Sequence, residues 1–289
     1  MRKLAVITGA DGGMGKEITY AVAAQGIPVI MACYRKEKGE KKREEIVARC
    51  GNRKIEVMEL DLSSLASVNA FAEKLLQRNE PIELLMNNAG VLDPKPITTV
   101  DGLSHIVSVN YVGPYLLTRK LLPLMIEGSR IVNMISCTYA IGKIHLPDFF
   151  THGRKGKGFW RIPIYSNSKL ALTLFTLELA ERVKSRGITV NAADPGIVST
   201  DIIRMYNPII DTLCDLFFRP IIRTPKQGAR NAIELLISKE AAQYSGTLHA
   251  GECGKPFSQK FIDHPMRRIL WEETEKIVAP YLEPKPLEK

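Results

Sequence analysis

Short apolar runs alternate with longer helix-patterned segments along most of this 289-residue chain. The runs are continuously apolar and rich in β-branched residues, which is typical of strands that are buried on both faces. Strands of this kind form parallel sheets that are covered by helices above and below. The sequence therefore predicts an α/β fold with one doubly wound parallel sheet. About seven strands are predicted, at 4–8, 28–33, 55–60, 82–87, 130–136, 188–193 and 246–250.

Nothing in the sequence divides the chain into smaller units. It has no internal repeat, low-complexity tract or Pro/Gly-rich linker, so one domain over 1–289 is predicted. Two segments interrupt the alternation, a glycine- and lysine-rich insertion at 144–164 and an apolar segment at 200–225. Because long loops at the carboxyl end of a parallel sheet often cover a site, we expect the second segment to be a substrate lid. Packing between subunits is the alternative role for it.

The charge of the chain admits several partner classes. A net charge of +9 and a pI near 9.3 are compatible with nucleic acid, an anionic membrane surface or a polyanionic small molecule. The densest basic cluster, 34–45, mixes lysine with glutamate at helical spacings, as a solvated helix face does, so we expect no nucleic-acid binding.

The apolar segments and the cysteines of the chain predict its compartment. The first apolar run is too short for a signal peptide and no apolar stretch reaches about 18 residues, so we expect a cytoplasmic protein without stable membrane insertion. Five scattered cysteines without CxxC spacing predict reduced thiols and no metal site.

A glycine-rich loop directly follows the first predicted strand. It reads TGADGGMG, with Gly9, Gly13 and Gly15 ahead of a helical segment. Glycines in this place allow a tight turn and a close approach to a pyrophosphate at a helix N-terminus, where unpaired N–H groups favour an anion. The alternative is that the glycines serve only the turn. In this context the loop predicts a Rossmann-type dinucleotide site.

The stretch YSNSK sets Tyr165 four residues ahead of Lys169. On a helix, residues at this spacing share one face. A phenol has a pKa of about 10, so it exchanges protons poorly near neutral pH unless a nearby cation favours the phenolate. Lys169 is spaced to be that cation. The pair is a plausible acid/base unit, although the same spacing also occurs where a ring simply packs beside an amine.

Several motifs in the same order resemble those of the classical short-chain dehydrogenase/reductase family. They are the TGADGGMG loop, DL at 61–62, NNAG at 87–90, the asparagine of SVNYVG, the serine of RIVNMIS, YSNSK, and DPGIVSTD at 194–201.

The resemblance implies four catalytic residues. Tyr165 is then the acid/base, and Lys169 lowers its pKa and binds the nicotinamide ribose. Ser136 donates a hydrogen bond to the substrate oxygen, much as an oxyanion donor does. Asn110 positions a water that links Lys169 to solvent.

The resemblance also implies a nicotinamide cofactor. An acidic residue after the second strand would accept from a ribose 2'-OH, whereas a basic residue suits a 2'-phosphate. The chain reads ACYRKEKGE there, so Arg35 with Lys36 is expected to pair with the phosphate while the Tyr34 ring stacks on adenine, and NADP(H) is favoured over NAD(H). The cofactor-binding residues carried over from the family are Gly9, Asp11, Gly13, Met14, Gly15, Tyr34, Arg35, Asp61, Leu62, Asn88, Ala89, Gly90, Tyr165, Lys169, Pro195, Gly196, Val198 and Thr200.

The insertion at 144–164, ACYRKEKGE and the stretch 223–236 resemble the retinol dehydrogenase branch of the family. This implies an oxidoreductase that acts on the CH–OH group of a hydrophobic, retinoid- or steroid-like alcohol or on the matching carbonyl. A cofactor sensor with little turnover is the alternative, which the presence of Ser136, Tyr165 and Lys169 disfavours. Family members are often homodimers or homotetramers, so we expect self-association here.

Overall fold

The computed structural model describes residues 4–146, 148–151, 161–198, 223–251 and 254–282. Its centre is an eight-stranded sheet with the order β3-β2-β1-β4-β5-β6-β7-β8. Strands β1 to β7 are parallel, and β8 pairs antiparallel with β7. The doubly wound parallel sheet predicted from the sequence is therefore confirmed, with one short edge strand added. The strands are β1 Leu4–Thr8, β2 Val29–Cys33, β3 Ile55–Glu59, β4 Ile82–Asn87, β5 Met125–Met134, β6 Thr189–Ala193, β7 Thr247–His249 and β8 Lys255–Pro256.

Helices connect the strands and cover both faces of the sheet. They are α1 Gly13–Ala23, α2 Lys36–Cys50, α3 Leu65–Arg78, α4 His105–Val107, α5 Gly113–Leu121, α6 Asp148–Thr151, α7 Ile162–Arg182, α8 Pro225–Ile237, α9 Gln259–Ile262 and α10 Met266–Leu282. A π-helical turn, Ser108–Val112, joins α4 to α5 without a break. Short 3-10 turns follow at Leu122–Leu124, Cys137–Ile141, Lys184–Arg186 and Glu240–Gln243.

The hydrophobic core has two parts, one on each face of the sheet, because successive strand residues point to opposite faces. Val6 packs in a cluster shared with α3, α5, α7 and α10, whereas its neighbour Ile7 packs in a cluster shared with α1, α2 and α8. Both faces are covered, which is why the strands read as continuous apolar runs rather than as alternating ones.

Helix α10 covers the outer side of α5 and α7. Tyr115 donates to Glu275 Oε1 at 2.6 Å, and Tyr111 shares a 2.7 Å hydrogen bond with Thr274. Arg267 Nε donates to Glu178 Oε2 at 3.1 Å. These polar contacts satisfy groups that would otherwise be buried without partners. The chain therefore shields these two helices with its own C-terminal helix.

The strand order places a crevice where β1 separates β2 from β4. In doubly wound sheets ligands bind outside the carboxyl ends of the strands at such a switch point. One boundary differs from the prediction for this edge: β5 begins at Met125 and ends at Met134, so Ser136 lies two residues beyond the strand.

Most of the insertion at 144–164 and of the expected lid at 200–225 lies outside the described residues. Within the described ranges, no helix combines the length and the apolar character needed to cross a bilayer.

Candidate active site

The glycine-rich loop between β1 and α1 is tightly packed. Gly9 has a φ of +61°, and a Cβ there would lie 3.0 Å from Ala89 Cα. A Cβ on Gly15 would lie 2.1 Å from the carbonyl oxygen of Gly9. Only glycine fits these two positions, the first for its backbone conformation as well as its size. The close packing brings the start of α1 against the end of β1.

The N-terminus of α1 has no side-chain cap. Its N-cap residue, Gly12, has no side chain to accept from the first N–H groups of the helix. These donors, together with the helix dipole, favour an anion at this point. The geometry is that of a phosphate-binding helix start.

A cleft of about 490 Å³ runs along the carboxyl edge of the sheet beside this loop. It joins the loop to the ends of β2, β3 and β4, so most of the predicted cofactor residues meet in one place. The predicted residues that line it are Gly9, Asp11, Gly13, Met14, Gly15, Tyr34, Asp61, Leu62, Asn88, Ala89 and Gly90.

Thr8 and Asn88 fix the floor of the cleft. The Thr8 hydroxyl accepts from the backbone N–H groups of Asn88 and Ala89 at 3.0 and 3.1 Å. Asn88 Nδ2 donates to the carbonyl oxygens of Thr8 and Gly9 at 2.9 and 3.2 Å. Asn88 Oδ1 is buried and has no hydrogen-bond partner in the described part of the chain. A ribose hydroxyl is a donor that would satisfy it.

The adenosine end of the cleft differs in detail from the expectation. Tyr34 lines the cleft and is 63% exposed, which leaves its ring free to stack. Arg35 is exposed at the start of α2 and is not among the cleft-lining residues. Lys38 lines the cleft instead, and its Nζ lies 3.1 Å from Asp11 Oδ2. The basic side chain on the cleft wall is therefore Lys38, one helical turn beyond the residue expected from the sequence.

Gly90 links the cleft to the predicted catalytic residues. A Cβ on Gly90 would lie 3.4 Å from both Lys169 Nζ and Asn110 Oδ1. Lys169 is 2% exposed, and its Nζ donates to the carbonyl oxygen of Met134 at 2.8 Å. The same Nζ lies 5.6 Å from the centroid of the Tyr165 ring. Tyr165 and Lys169 therefore lie together on one face of α7, as predicted, and Gly90 connects this pair to the cleft.

The pKa shifts of this pair differ from the expectation. Burial raises the pKa of Tyr165 to about 12, while a hydrogen bond with Ser136 acts in the opposite direction. Burial lowers the pKa of Lys169 to about 8. The expected lowering of the Tyr165 pKa by Lys169 is absent from this structure, because the amine bonds to Met134 and desolvation dominates. The phenol is thus a proton donor at neutral pH.

Ser136 lies where β5 gives way to a 3-10 turn. Its Oγ accepts from Thr138 N at 3.4 Å and from Thr138 Oγ1 at 3.2 Å. Because Ser136 accepts both bonds from Thr138, its own hydroxyl hydrogen can donate, toward Tyr165 in this structure and toward a substrate oxygen as an oxyanion donor must. Thr138 is a positioning residue that sequence reasoning missed, although the S-x-T pattern is a known local capping signal.

Asn110 lies in the π-helical turn and is fully buried. Its Oδ1 accepts from Val91 N at 2.8 Å, and its Nδ2 donates to Val91 O and to Ser168 Oγ, each at 3.0 Å. The side chain therefore ties the segment after β4 to α7. π-Helical turns are often found at functional sites. The water expected beside Asn110 remains a prediction.

The DPG segment directly follows β6, but the predicted cofactor residues Pro195, Gly196 and Val198 are not among those that line the cleft. Gly196 has a φ of +70°, and its N–H donates to Asp194 Oδ1 at 2.9 Å. Arg223 Nη1 donates to the carbonyl oxygen of Pro195 at 3.1 Å. Val198 bridges to Arg223 and contacts the start of α8. Thr200 lies outside the described residues.

The residues present fit a dinucleotide. The glycine cradle, the uncapped start of α1 and the unpartnered Asn88 Oδ1 are what a pyrophosphate and a ribose require. No group of three or more His, Cys, Asp or Glu in the described ranges is arranged to hold a metal ion. Besides Lys38 and Thr138, sequence reasoning missed His105, which lines the cleft with its Nδ1 2.8 Å from Asp93 Oδ2. The hydrogen bond with Asp93 raises the pKa of His105.

Comparisons with known proteins agree with this geometry. The sequence model of the family described as short chain dehydrogenase matches residues 3–149 and 151–208. Retinol dehydrogenase 11 of Mus musculus is 38% identical over 254 residues, which cover 87% of this chain and 78% of that protein. Retinol dehydrogenase 13 of Homo sapiens is 33% identical over 294 residues, which cover 99% and 88%.

A solved structure shares the fold as well. A protein of unassigned function from Mycobacterium paratuberculosis superimposes with a TM-score of 0.75 at 28% identity, over 96% of this chain and 94% of that one.

Proposed function

The chain belongs to the short-chain dehydrogenase family, and on that basis we propose that it transfers hydride between NADP(H) and a hydrophobic carbonyl or alcohol. The coarser statement, an oxidoreductase acting on the CH–OH group and resembling retinol dehydrogenases, follows from family membership. The finer one concerns the cofactor's 2'-phosphate and the lipophilic character of the substrate. Each finer point has its own support and its own test.

The observation that carries the proposal is the convergence of two half-sites. The cleft contains a phosphate-binding helix start, and its lining extends to Gly90, next to Lys169 and Asn110. When bound, the cofactor would be held by the glycine loop, Asn88 and Gly90, and would supply or accept a hydride. Gly90 lies between the two half-sites, because a Cβ on it would be 3.4 Å from Lys169 Nζ.

The protein's own residues handle the proton and the developing charge. In carbonyl reduction, the substrate oxygen gains negative charge as the carbon receives hydride. Ser136, oriented by Thr138, donates a hydrogen bond to that oxygen, and Tyr165 gives it the phenolic proton. Lys169, whose Nζ lies 5.6 Å from the centroid of the Tyr165 ring, bonds to Met134 O in the resting site and is expected to stabilise the phenolate once it forms. Oxidation of an alcohol runs through the same groups in reverse.

The preference for NADP(H) rests on the charge beside Tyr34. No acidic residue follows β2 directly, and Lys38 on the cleft wall and Arg35 beside it can approach a 2'-phosphate. Asp11 opposes this preference, but Lys38 neutralises it in the structure. The affinities of wild type for NADPH and NADH, measured by calorimetry, test the choice, and tighter binding of NADH would contradict it.

Three variants locate the phosphate contact. We expect Lys38→Met to weaken NADPH about 10- to 100-fold while NADH stays within about twofold, because one charge-assisted hydrogen bond is lost. Lys41→Met, which removes an exposed charge one turn further along the same helix, is the matched control. An effect confined to Arg35→Met would assign the phosphate to Arg35 instead.

The lipophilic substrate is supported by the relatives named above and by apolar surface near the site. Ile141 and Ile197, on the segments after Ser136 and Gly196, are 68% and 64% exposed. The test is nicotinamide absorbance with retinoid, steroid and small aliphatic or aromatic carbonyls, with Tyr165→Phe as the background control. We expect bulky apolar carbonyls to be turned over best. NADPH binding without turnover of any carbonyl would favour a sensor.

A cytoplasmic location and self-association, both expected from the sequence, are part of the proposal. Because α10 packs on α5 and α7, we expect a second copy to pack on another face, such as the exposed side of α2. Light scattering after size exclusion tests the oligomeric state, and fractionation of the producing cells tests the location.

A further inference from the structure

His105 lies in the cleft that fits the dinucleotide and is paired with a carboxylate. It is the first residue of α4, and its side chain lines the cleft. Its Nδ1 lies 2.8 Å from Oδ2 of Asp93, on the segment after β4. The two side chains are 25% and 12% exposed. Because the pair is partly buried, solvent and salt screen it less than they screen a pair on the open surface.

Backbone contacts hold both members of the pair in place. The His105 N–H donates to Ile97 O at 2.9 Å. Asp93 follows Val91 by two residues, and Val91 lines the cleft with its N–H held by Asn110 Oδ1 at 2.8 Å. The histidine and the carboxylate therefore have a fixed place on the cleft wall.

Nε2 is the ring nitrogen of His105 that can meet a ligand. Nδ1 is occupied by Asp93, and within the described ranges this is the one hydrogen bond of the ring. When the ring is protonated, Nδ1 donates to the carboxylate and Nε2 carries a second N–H. An N–H on a cationic ring is a strong donor to oxygen acceptors, which a dinucleotide has on its phosphates and riboses.

The other charged side chains of the cleft do not favour an anionic ligand. Of the described residues that line it, Asp11 and Asp61 are acidic and Lys38 is basic. A dinucleotide carries a negative charge on each phosphate of its pyrophosphate. With His105 neutral, the two acids outnumber the one base, whereas with His105 protonated the charges of the lining balance. Protonation of His105 therefore lowers the electrostatic cost of binding an anion here.

The charged groups around His105 favour its protonated form. The hydrogen bond with Asp93 raises the pKa of His105 above its ordinary value of 6.5, burial opposes this, and the charges of Asp93 and Asp61 add to the increase. Arg161, at the start of α7, interacts with the same Asp93: burial lowers the pKa of Arg161 and Asp93 opposes that change. The acidic groups that act on His105 thus come from the segments after β3 and β4.

We propose that His105 is a cofactor-binding residue that meets the dinucleotide as a cation, so that binding of NADP(H) takes up a proton at this ring. The proposal rests on the proposed function, because it needs the dinucleotide to occupy the cleft. An anion in the cleft stabilises the protonated ring, so the pKa of His105 is higher in the complex than in the unliganded protein. Affinity is then greatest below the lower of these two pKa values and falls as pH rises to the higher one.

Calorimetry of NADPH binding in buffers of different ionisation enthalpy measures the protons taken up. Between about pH 6 and about pH 9, we expect wild type to take up about half a proton per NADPH at the maximum and to lose about tenfold in affinity, as a pKa rise of about one unit requires. His105→Asn, whose amide nitrogen can still donate to Asp93, should remove this uptake and this loss. His145→Gln removes an exposed histidine that is not among the cleft-lining residues, and this control should behave as wild type does.

Two other groups exchange protons in this pH range. Lys169 has a pKa of about 8, and a phosphate monoester such as the 2'-phosphate of NADPH has a second pKa of about 6. Both are present with wild type and with every variant. The difference in proton uptake between wild type and His105→Asn therefore isolates His105.

Asp93→Asn separates the charge of the pair from its structural role. The amide oxygen can still accept from His105 Nδ1, but the negative charge is gone, so the pKa of His105 falls. Proton uptake and the loss of affinity should both move to lower pH. If the pair were only a clamp between α4 and the segment after β4, the pH profile would not move. If His105→Asn does not fold, His105→Gln replaces it.

The outcomes separate this proposal from the proposed function. Equal proton uptake by wild type and a folded His105 variant, or an unmoved pH profile in Asp93→Asn, overturns the role of His105 while NADPH binding still supports the cofactor assignment. Uptake that depends on His105 in a protein that reduces no carbonyl supports the role of His105 and counts against the proposed reaction. Failure of wild type to bind NADPH would overturn both.

Discussion

Gly15→Ala should leave the protein folded but weaken its binding of the cofactor. The new Cβ would lie 2.1 Å from Gly9 O and 2.9 Å from both Ala10 Cα and Asn88 Nδ2. Ordinary contacts lie at about 3.5 Å, so the start of α1 must move by roughly 1 Å. Overpacking of this kind costs about 1–3 kcal/mol of stability.

The same shift moves the N–H groups that would meet a pyrophosphate. A charge-assisted hydrogen bond contributes about 1.5–3 kcal/mol, so the loss of two predicts NADPH binding that is at least about 100-fold weaker. Gly12→Ala is the matched control, because its Cβ has one close neighbour, Gly9 O at 3.3 Å, and its φ of −76° suits alanine. Calorimetry gives the affinities and thermal melting gives the stability. A Gly15→Ala protein that bound NADPH within threefold of wild type would refute the close-approach argument.

Further predictions concern the catalytic end of the site and the α10 face. Thr138→Val should lower kcat for reduction several-fold with the cofactor KM unchanged, since Ser136 loses an orienting donor. Thr138→Ser should restore kcat. A kcat of Thr138→Val equal to that of wild type would exclude the positioning role of Thr138. Lys169→Met should abolish turnover yet raise the free energy of unfolding at pH 7 by at most about 3 kcal/mol, because a buried charge is removed. The Lys169 pKa is about 8 in the folded protein against 10.5 unfolded, so the free energy of unfolding of wild type should rise relative to that of the variant as pH increases from 8 to 10.5. A difference between the two free energies of unfolding that stayed constant across this range, measured by denaturant unfolding, would contradict the shift. Tyr111→Phe leaves the Thr274 hydroxyl with only Leu270 O as partner and should cost about 1 kcal/mol in urea denaturation, with no change in NADPH affinity.

Much of the fold followed from pattern alone. Strands buried on both faces have a distinctive composition, and all seven predicted runs form parallel strands. The edge strand β8 was not predicted because its two residues, Lys255 and Pro256, are too few to show a periodicity. The packing of α10 over α5 and α7 was also unforeseen, since contacts such as that of Tyr115 with Glu275 join residues 160 positions apart.

The site was predictable where function depends on local spacing. The glycine loop and the pair of Tyr165 and Lys169 need only a known turn or helix to come together. Lys38 was missed because the direction of its side chain depends on where α2 begins. The raised pKa of Tyr165 could not be read from spacing, because it depends on burial by residues that are distant in sequence.

The most direct test of the account is transfer of deuterium from NADPH deuterated at the reactive nicotinamide carbon. A retinoid or steroid carbonyl that wild type accepts in the panel assay is incubated with wild type or Tyr165→Phe, and the product alcohol is examined by mass spectrometry. We predict one deuterium on the carbinol carbon with wild type and a yield at least about 100-fold lower with Tyr165→Phe, while NADPH affinity is unchanged. Equal yields from the two proteins would contradict the assignment of Tyr165 as the proton donor.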